Sequence, residues 1–497
     1  MVPGEPLAEQ YLAARARLGM KFGLETMAAL TGAMGRPQST FAALTVAGTN
    51  GKGSVAAYVD AALRAGGVPA GRYTSPHLVR VHERITAGGR EISGPDLERA
   101  VGAVRNAAQR LVAKGALRDH PTYFEALTAG AFEHFRRRRV PVAVLEVGLG
   151  GRLDATNVCD PAASAIVSID FDHQAYLGTT LAAIAVEKAG VLRPGRVTVL
   201  GPMAADARAA IGSRAAASGA VLVDAEEGTT ITEGPAGLDV RTPVALYRGL
   251  RPLPGAYQRA NLLVALRLLE AARDAGVALD LAAVPRGIEA VRWPGRLQRV
   301  EGNPPLLLDA AHNAAGARAL AEHLRGRGPY VLLFGAMMDK DVEDMSGALF
   351  APARHVVLTH VAMERAASPE DLARRAGEVG RGAVHEPDVA RALERARELA
   401  RPDALVVVAG SLYLVGAVLA LLQGEGAVDD SLSAASGPHP LRAGAARSPR
   451  APAARGSPHH PRTRPGRPAP APAGTPRTPA ARRTRRTGRG RPGRSRR

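Results

Sequence analysis

The sequence predicts an α/β protein of two doubly wound, largely parallel sheets, followed by a segment with no fold of its own. Two observations carry the sheets. Continuous apolar runs of strand length recur along the chain, and each is followed by a stretch with helical character. Fully apolar strands suit a parallel sheet covered on both faces, with the helices as crossovers. A third observation carries the last segment. From Ser431 onward Arg, Pro, Ala and Gly make up 51 of 67 residues, which cannot bury enough apolar surface to order itself.

Taken in order, FAALTVAG, VPVAVLEVG, ASAIVSID and RVTVLG are the strands of the first 200 residues. After residue 300 come PPLLLDAAH, YVLLFGA, RHVVLTHV and ALVVVAGS. LFAPARHVVL and RPDALVVV are tight connections within the second sheet, and no internal repeat is visible. Between the two sets lies a long helical pattern, YQRANLLVALRLLEAARDAG, and then RWPGRLQRV (Arg292–Val300). Its Trp-Pro-Gly cannot continue a helix. The expected domains are therefore 1–292, 293–424 and a tail, 425–497.

A chain of 497 residues has room for two or three domains. Cys159 is the only cysteine, and one thiol forms no internal disulfide, which favours a reducing, cytoplasmic setting. Residues 1–20 show no positive segment followed by an apolar run, so no signal peptide is expected. No apolar run approaches the roughly 20 residues of a membrane helix. The net charge of +19 invites a nucleic-acid partner, but 17 of the 65 basic residues fall in Ser431–Arg497, which has no acid. That leaves 48 basic against 46 acidic residues over 1–430, so the body gives no electrostatic case for a polyanion. The tail itself reads as a basic arm, as an inert solvated segment, or as a gene end out of frame, since GC-rich DNA so read yields mainly these four residue types.

The first strand runs into LTVAGTNGKGS (Leu44–Ser54). The strict phosphate loop is G-x-x-x-x-G-K-[ST]. Here Val46 stands at the first glycine, and Gly53 separates Lys52 from Ser54. The physical requirement is still met: a strand end, inward backbone N–H groups and a helix N-terminus. Gly48, Gly51 and Gly53 let the backbone approach phosphate. Lys52 can reach the terminal phosphates, and Ser54 or Thr49 can hold a phosphate oxygen or the metal. A glycine-rich turn without a ligand is the plainer alternative.

Two further strand ends carry polar groups. Glu146 closes VAVLEVG, where open α/β sheets bind ligands, and suits a hard cation such as Mg2+. His173 follows AIVSIDFDH, although a lone histidine is more often structural. Lys188, in AVEKAGV on a helix, reads from its residues as a surface lysine.

GTNGKGS, with Asn50 in its middle, resembles the ATP-binding loop of the Mur ligase superfamily in its folate branch. Nine further segments resemble the same branch in the same order. They are FGLE (Phe22–Glu25), YTSPHLVRVHERI (Tyr73–Ile85), TYFEALTAGAF (Thr122–Phe132), LEVGLGGRLDATN (Leu145–Asn157), DHQAYLGTTLAAIAVEKAGV (Asp172–Val191), WPGRLQ, LLDAAHNAAG (Leu307–Gly316), FGAMMDKD (Phe334–Asp341) and GSLYLVG (Gly410–Gly416). The resemblance is to the bifunctional dihydrofolate synthases/folylpolyglutamate synthases and covers roughly residues 8–422. It implies a phosphate-loop ATPase domain with a parallel sheet, then a Rossmann-like glutamate-ligase domain. The implied reaction joins L-glutamate to dihydropteroate and to reduced folates at the expense of ATP, through an acyl phosphate.

The resemblance also implies roles. Gly48 to Ser54, with Asn261, Arg296 and Asp309, contact ATP. Arg296 lies at the hinge, where a guanidinium can clamp phosphate as the domains close. Asp309 ends PPLLLD, where a carboxylate can accept from ribose hydroxyls. Ser75, Glu146 and His173 hold magnesium, and Lys188 is a carbamylated lysine that helps hold a second ion; K+ is a further candidate ion. Lys52, His173 and Lys188 form the catalytic set. Phe22, Gly23, Thr122, Phe124, Asp154 and Ala155 take the pterin end of dihydropteroate, although each Phe also fits ordinary core packing. His312, Asn313, Lys340 and Arg365 lie on the glutamate side, although His312 and Asn313 also fit a capped helix start. Two departures stand out: Ala314 occupies the proline position of an H-N-P motif, and Tyr257 stands where many members carry His.

The nearest rival is a cell-wall Mur ligase acting on a UDP-linked substrate. Those enzymes generally carry an extra N-terminal domain, for which a loop beginning at residue 48 leaves no room. A nucleic-acid-binding NTPase anchored by the tail is the rival from another class, and the near-neutral body speaks against it. A monomer with small-molecule partners, no membrane and no nucleic acid is expected.

Overall fold

The computed structural model describes residues 7–16, 19 and 21–424; the tail expected at 425–497 lies outside them. The first sheet has eight strands: β1 (Ala42–Ala47), β2 (Ala70–Tyr73), β3 (Ile85–Ala87), β4 (Arg90–Glu91), β5 (Val142–Glu146), β6 (Pro161–Ile166), β7 (Val197–Leu200) and β8 (Val221–Asp224). Their order is β4-β3-β2-β5-β1-β6-β7-β8. The six strands from β2 to β8 in that order are parallel, and β3 and β4 add an antiparallel edge.

The apolar runs are strands for the reason the sequence suggested. Leu44 and Val46 of β1 pack into one buried cluster, Ala43 and Ala47 into two others. Both faces are covered, so both alternations must be apolar. Register then gathers strand ends. Val46 pairs with Glu146, and Ala47 with Ile166, while Tyr73 pairs with Leu145. The carboxyl edge therefore brings together the turn at Gly48, the segment after Tyr73, Glu146 and the segment after Ile166.

A second sheet of six strands follows: β12 (Gln298–Val300), β13 (Leu306–Leu308), β14 (Tyr330–Phe334), β15 (His355–Leu358), β16 (Val384–His385) and β17 (Leu405–Ala409). Its order is β12-β13-β17-β14-β15-β16, with only β12 antiparallel. Val331 and Leu333 of β14 enter one cluster, and Tyr330, Leu332 and Phe334 the other. The chain crosses between halves at the Trp-Pro-Gly turn. Trp293 packs against the first core, and Leu297 is buried in the second.

Two features lie outside the sequence expectation. β9 (Thr230–Gly234), β10 (Gly237–Arg241) and β11 (Leu246–Leu250) form a separate three-stranded antiparallel sheet. β9 is exposed along most of its length and β10 and β11 are only partly buried, so none of the three carries an unbroken apolar run. The second feature ties the halves together. Leu78 and Val79, from the segment after β2, are buried in the core of the second sheet. The Glu83 carboxylate holds that segment by accepting from the backbone N–H groups of Leu78, Val79 and Arg80 at 2.7–2.8 Å.

Candidate functional site

The glycine-rich turn is hemmed in by close neighbours. The helix Lys52–Ala65 begins immediately after Gly51, whose φ is +84°. A Cβ added at Gly51 would lie 2.3 Å from Oδ1 of Asn261, and one at Gly53 would lie 2.9 Å from the Trp293 ring. Any larger residue would therefore strike the walls of the cleft. The loop is fastened from one side by the segment after β6. Thr49 N–H donates to Ser168 O at 2.8 Å, and the Thr49 hydroxyl donates to Asp170 O and accepts from Asp170 N–H at 3.1 Å. Asn50 N–H donates to Ser168 Oγ at 3.0 Å.

Side chains from the helix Tyr257–Asp274 brace the other side. Gln258, fully buried, donates from Nε2 to Ser54 Oγ at 3.2 Å and accepts from Asn261 Nδ2 at 3.0 Å and from Tyr58 at 3.3 Å. Lys52 folds over the loop, its Nζ donating to the carbonyls of Gly48 and Thr49 at 3.1 Å. Arg296, Asp309, Tyr257 and Trp293 complete a cavity of about 760 Å³ around this loop. Asp309 accepts from Leu297 N–H at 2.9 Å and Ala311 N–H at 3.0 Å, so it braces the crossing between halves as well as facing the cavity.

Glu146, Ser75, His173 and Lys188 line the same cavity. Glu146 is buried and accepts from Ser75 N–H at 3.1 Å. Burial pushes its carboxyl above the ordinary range, opposed by Lys52 and by the Ser75 bond. A cation beside it would offset that burial cost, so the residues fit a hard metal. His173 sits in the left-handed region at φ 52°. Its pKa is lowered, chiefly by desolvation, which leaves a lone pair available at neutral pH. Among the described residues no three His, Cys, Asp or Glu side chains gather as a metal site by themselves.

Lys188 corrects the reading from its residues alone. It is not a surface lysine: it ends the helix Leu181–Lys188, is 4% exposed, and donates to Gly48 O at 2.8 Å. Burial, with Lys52 nearby, brings its pKa down to about 7. An amine so poised is partly unprotonated at neutral pH.

A second cavity, of about 580 Å³, adjoins the first. Phe22, Gly23, Thr122, Phe124, Asp154 and Ala155 all line it, as do Lys340, Arg365 and His312 from the second half. Phe22 is half exposed and lies 5.7 Å from the Tyr176 ring; Phe124 lies 6.0 Å from Tyr73. Thr122 caps the helix Tyr123–Arg138 in a reciprocal box with Glu125. Asp154 accepts from Gly148, Leu149 and Thr156 N–H groups at 2.9–3.0 Å and from the Thr156 hydroxyl at 2.6 Å. Both anchors thus shape their own loops. Arg365 donates to the Tyr413 hydroxyl at 2.7 Å.

Ser75, Gly148, His173 and His312 line both cavities. Asp172, which the sequence reading passed over, gathers this junction. It accepts from Lys340 Nζ at 2.6 Å and Asn313 Nδ2 at 3.3 Å, with His312 Nε2 at 3.5 Å. Burial opposes its charge, but His312, His173 and Lys340 hold the carboxyl well below the ordinary range. Asn313 also donates to Asn50 Oδ1 at 2.9 Å and caps the helix Ala314–Leu324 through Gly316 N–H. The capped-start alternative is therefore true of Asn313, which lines neither cavity. Ala314 takes the first helical position, where proline is favoured but not required. The DFDH segment, with its acids at a strand end, was the signal available for Asp172.

Comparison with known proteins supplies the context. The family model described as "Mur ligase, glutamate ligase domain" matches residues 295–412. A probable bifunctional folylpolyglutamate synthase/dihydropteroate synthase of Halobacterium salinarum is 38% identical over 421 residues, covering 82% of this chain and 50% of the relative. The chain thus spans about half the length of that relative and of its Haloferax volcanii counterpart. A dihydrofolate synthase/folylpolyglutamate synthase of Mycobacterium tuberculosis is 39% identical over 380 residues, covering 71% of this chain and 77% of the relative. The solved M. tuberculosis folylpolyglutamate synthase with ADP and AMPPCP superposes with a TM-score of 0.77 at 32% identity, covering 84% of this chain and 99% of that one. A bifunctional folylpolyglutamate synthase/dihydrofolate synthase structure with Mn, AMPPNP and L-glutamate superposes with a TM-score of 0.74 at 31% identity, covering 84% and 98%.

Proposed function

Because the chain belongs to the folylpolyglutamate synthase/dihydrofolate synthase family, we propose that it is an ATP-dependent carboxylate–amine ligase. It joins L-glutamate to dihydropteroate and to the γ-carboxylate of tetrahydrofolates. One observation carries the reading: a loop-lined cavity and a cavity with aromatic rings in its wall meet at Ser75, His173 and His312. That is the geometry needed to bring a carboxylate to a terminal phosphate.

In this reading the phosphate loop, Asn261, Arg296 and Asp309 hold ATP. The acceptor lies along Phe22, Gly23, Thr122, Phe124, Asp154 and Ala155, with its carboxylate at the junction. That carboxylate attacks the γ-phosphorus, ADP leaves, and an acyl phosphate forms. The amine of glutamate, held from the second half by His312, Lys340 and Arg365, attacks the carbonyl and expels phosphate. Lys52 offsets charge developing on the transferred group. Ser75, Glu146 and His173 would hold Mg2+, which supplies Lewis-acid neutralisation of the phosphates. Carbamylated Lys188 would serve a second ion; K+ remains a further candidate. Residues 1–292 and 293–424 act as the two closing domains, and their junction excludes water from the acyl phosphate. A monomer suffices, since both cavities are lined by one chain.

The test is phosphate release by the full chain with Mg·ATP and L-glutamate, comparing dihydropteroate with tetrahydrofolate. Release with both is expected. Release with tetrahydrofolate alone would restrict the activity to polyglutamylation, and release with neither from a folded protein would overturn the reading.

A further inference from the structure

We infer that Arg84 binds a second, non-reacting carboxylate of the acceptor and so favours acceptors that already carry a glutamyl residue. The inference rests on the ligase reading above and deepens it.

Arg84 ends the turn Val81–Arg84 and is 4% exposed. Its Nε donates to Nδ1 of His77 at 2.8 Å, and its guanidinium lies over the Tyr123 ring, 5.3 Å from the centroid. Among the described residues no carboxylate pairs with it. The two groups in contact with it, the His77 imidazole and the Tyr123 ring, are not carboxylates. The buried Tyr73 phenol stays protonated. Asp154 accepts four hydrogen bonds within its own loop. A buried cation without a counter-charge is costly to maintain, and a fork of unpaired N–H donors matches a carboxylate.

The position says which carboxylate. Arg84 lines the acceptor cavity together with Thr122, Phe124, Ser75 and Pro76, but it does not line the nucleotide cavity. The group to be phosphorylated must reach the wall the two cavities share. Arg84 stands beside Ser75 and Pro76 of that wall without itself reaching the nucleotide cavity, so an anion it holds lies one step back from the reacting group. Dihydropteroate has a single carboxylate, and it reacts. A glutamyl acceptor has two, the reacting γ and the spectator α. Arg84 is placed for the spectator.

The experiment uses the full chain as wild type, Arg84→Gln and Arg84→Lys. Equilibrium binding and steady-state kinetics are measured with dihydropteroate and with tetrahydrofolate. In Arg84→Gln, the KM and dissociation constant for tetrahydrofolate should rise about 10- to 100-fold, the range of a charge-assisted hydrogen bond. Its kcat should hold, and dihydropteroate should change by less than about threefold. Arg84→Lys should recover part of the loss. Equal losses for both acceptors, or none for either, would overturn the assignment. The dihydropteroate arm also reports folding, since a collapsed site would lose both. If the wild type binds neither acceptor, the folate reading falls and the assignment with it; if it binds both and Arg84→Gln leaves their ratio unchanged, only the assignment falls.

Discussion

The first cavity is lined by more polar side chains than the second, and the two are built on different principles. In the first cavity the glycine-rich loop forms one wall and is braced by its neighbours: the Gln258 side chain on Ser54, the Ser168 hydroxyl on Asn50, and the backbone of Ser168 and Asp170 on Thr49. In the acceptor cavity the named polar anchors are turned to their own backbone, Thr122 to Glu125 and Asp154 to Gly148, Leu149 and Thr156. The first cavity presents a preformed set of donors, and the second presents a shape. Loss of one reactive group should therefore be severe in the first, whereas the second should respond to changes in its walls.

The sharpest break of that contrast is Lys52→Ala. Lys52 Nζ bonds only carbonyls of its own loop, so little of the fold depends on it. Phosphate release should fall at least about 10²- to 10³-fold, the cost of removing one group that stabilises transition-state charge. The thermal midpoint should move little, as for other substitutions outside a core. Near-normal release would mean the loop is structural and the cavities are not different in kind.

Lys188 sharpens the comparison through pH. Its folded pKa is about 7 against 10.5 unperturbed, so the folded protein binds fewer protons than the unfolded chain between those values. The stability of the unmodified protein should rise with pH across that window. The amine needed for carbamylation appears as pH climbs through about 7. Bicarbonate should therefore stimulate phosphate release above pH 7 and little below it. Lys188→Met should abolish both dependences and lower activity about 10- to 100-fold, the usual cost of losing support around a metal. A bicarbonate effect that survives in Lys188→Met would place the modification elsewhere.

The same contrast explains what the sequence could convey. Strands β1, β5, β6, β7, β13, β14, β15 and β17 were legible because sheets covered on both faces demand unbroken apolar runs. β9–β11 were not, since strands left largely exposed carry no unbroken apolar run and resemble a loop. The glycine-rich turn after β1 was legible because its glycines record where the backbone packs closely against its neighbours. Lys188 misled because a helix end gives no clue to which neighbour it meets; its partner, Gly48 O, lies 140 residues away. Asp172 was silent for the same reason, because its importance comes from Lys340, 168 residues downstream. Thr122 and Asp154 were singled out as polar anchors beside the Phe rings and by resemblance; that their side chains also cap their own turns is seen only in the structure.

The smallest expected effect tests whether the cavities are separable. Gly148 lines both of them. A Cβ there would lie 2.6 Å from Cζ of Phe124 and 3.3 Å from Asp154 Oδ2, so Gly148→Ala must push the Phe124 ring into the acceptor space. The acceptor KM should rise about 3- to 10-fold, the size of a modest packing clash, while nucleotide affinity stays unchanged. Phe124→Leu in the same chain should remove the clash, and the double variant should then bind the acceptor better than Gly148→Ala alone, a coupling that a mutant cycle reads directly. A matching loss of nucleotide affinity would show that the strand end at Glu146 transmits strain into the phosphate loop. The two cavities would then have to be treated as one mechanical unit.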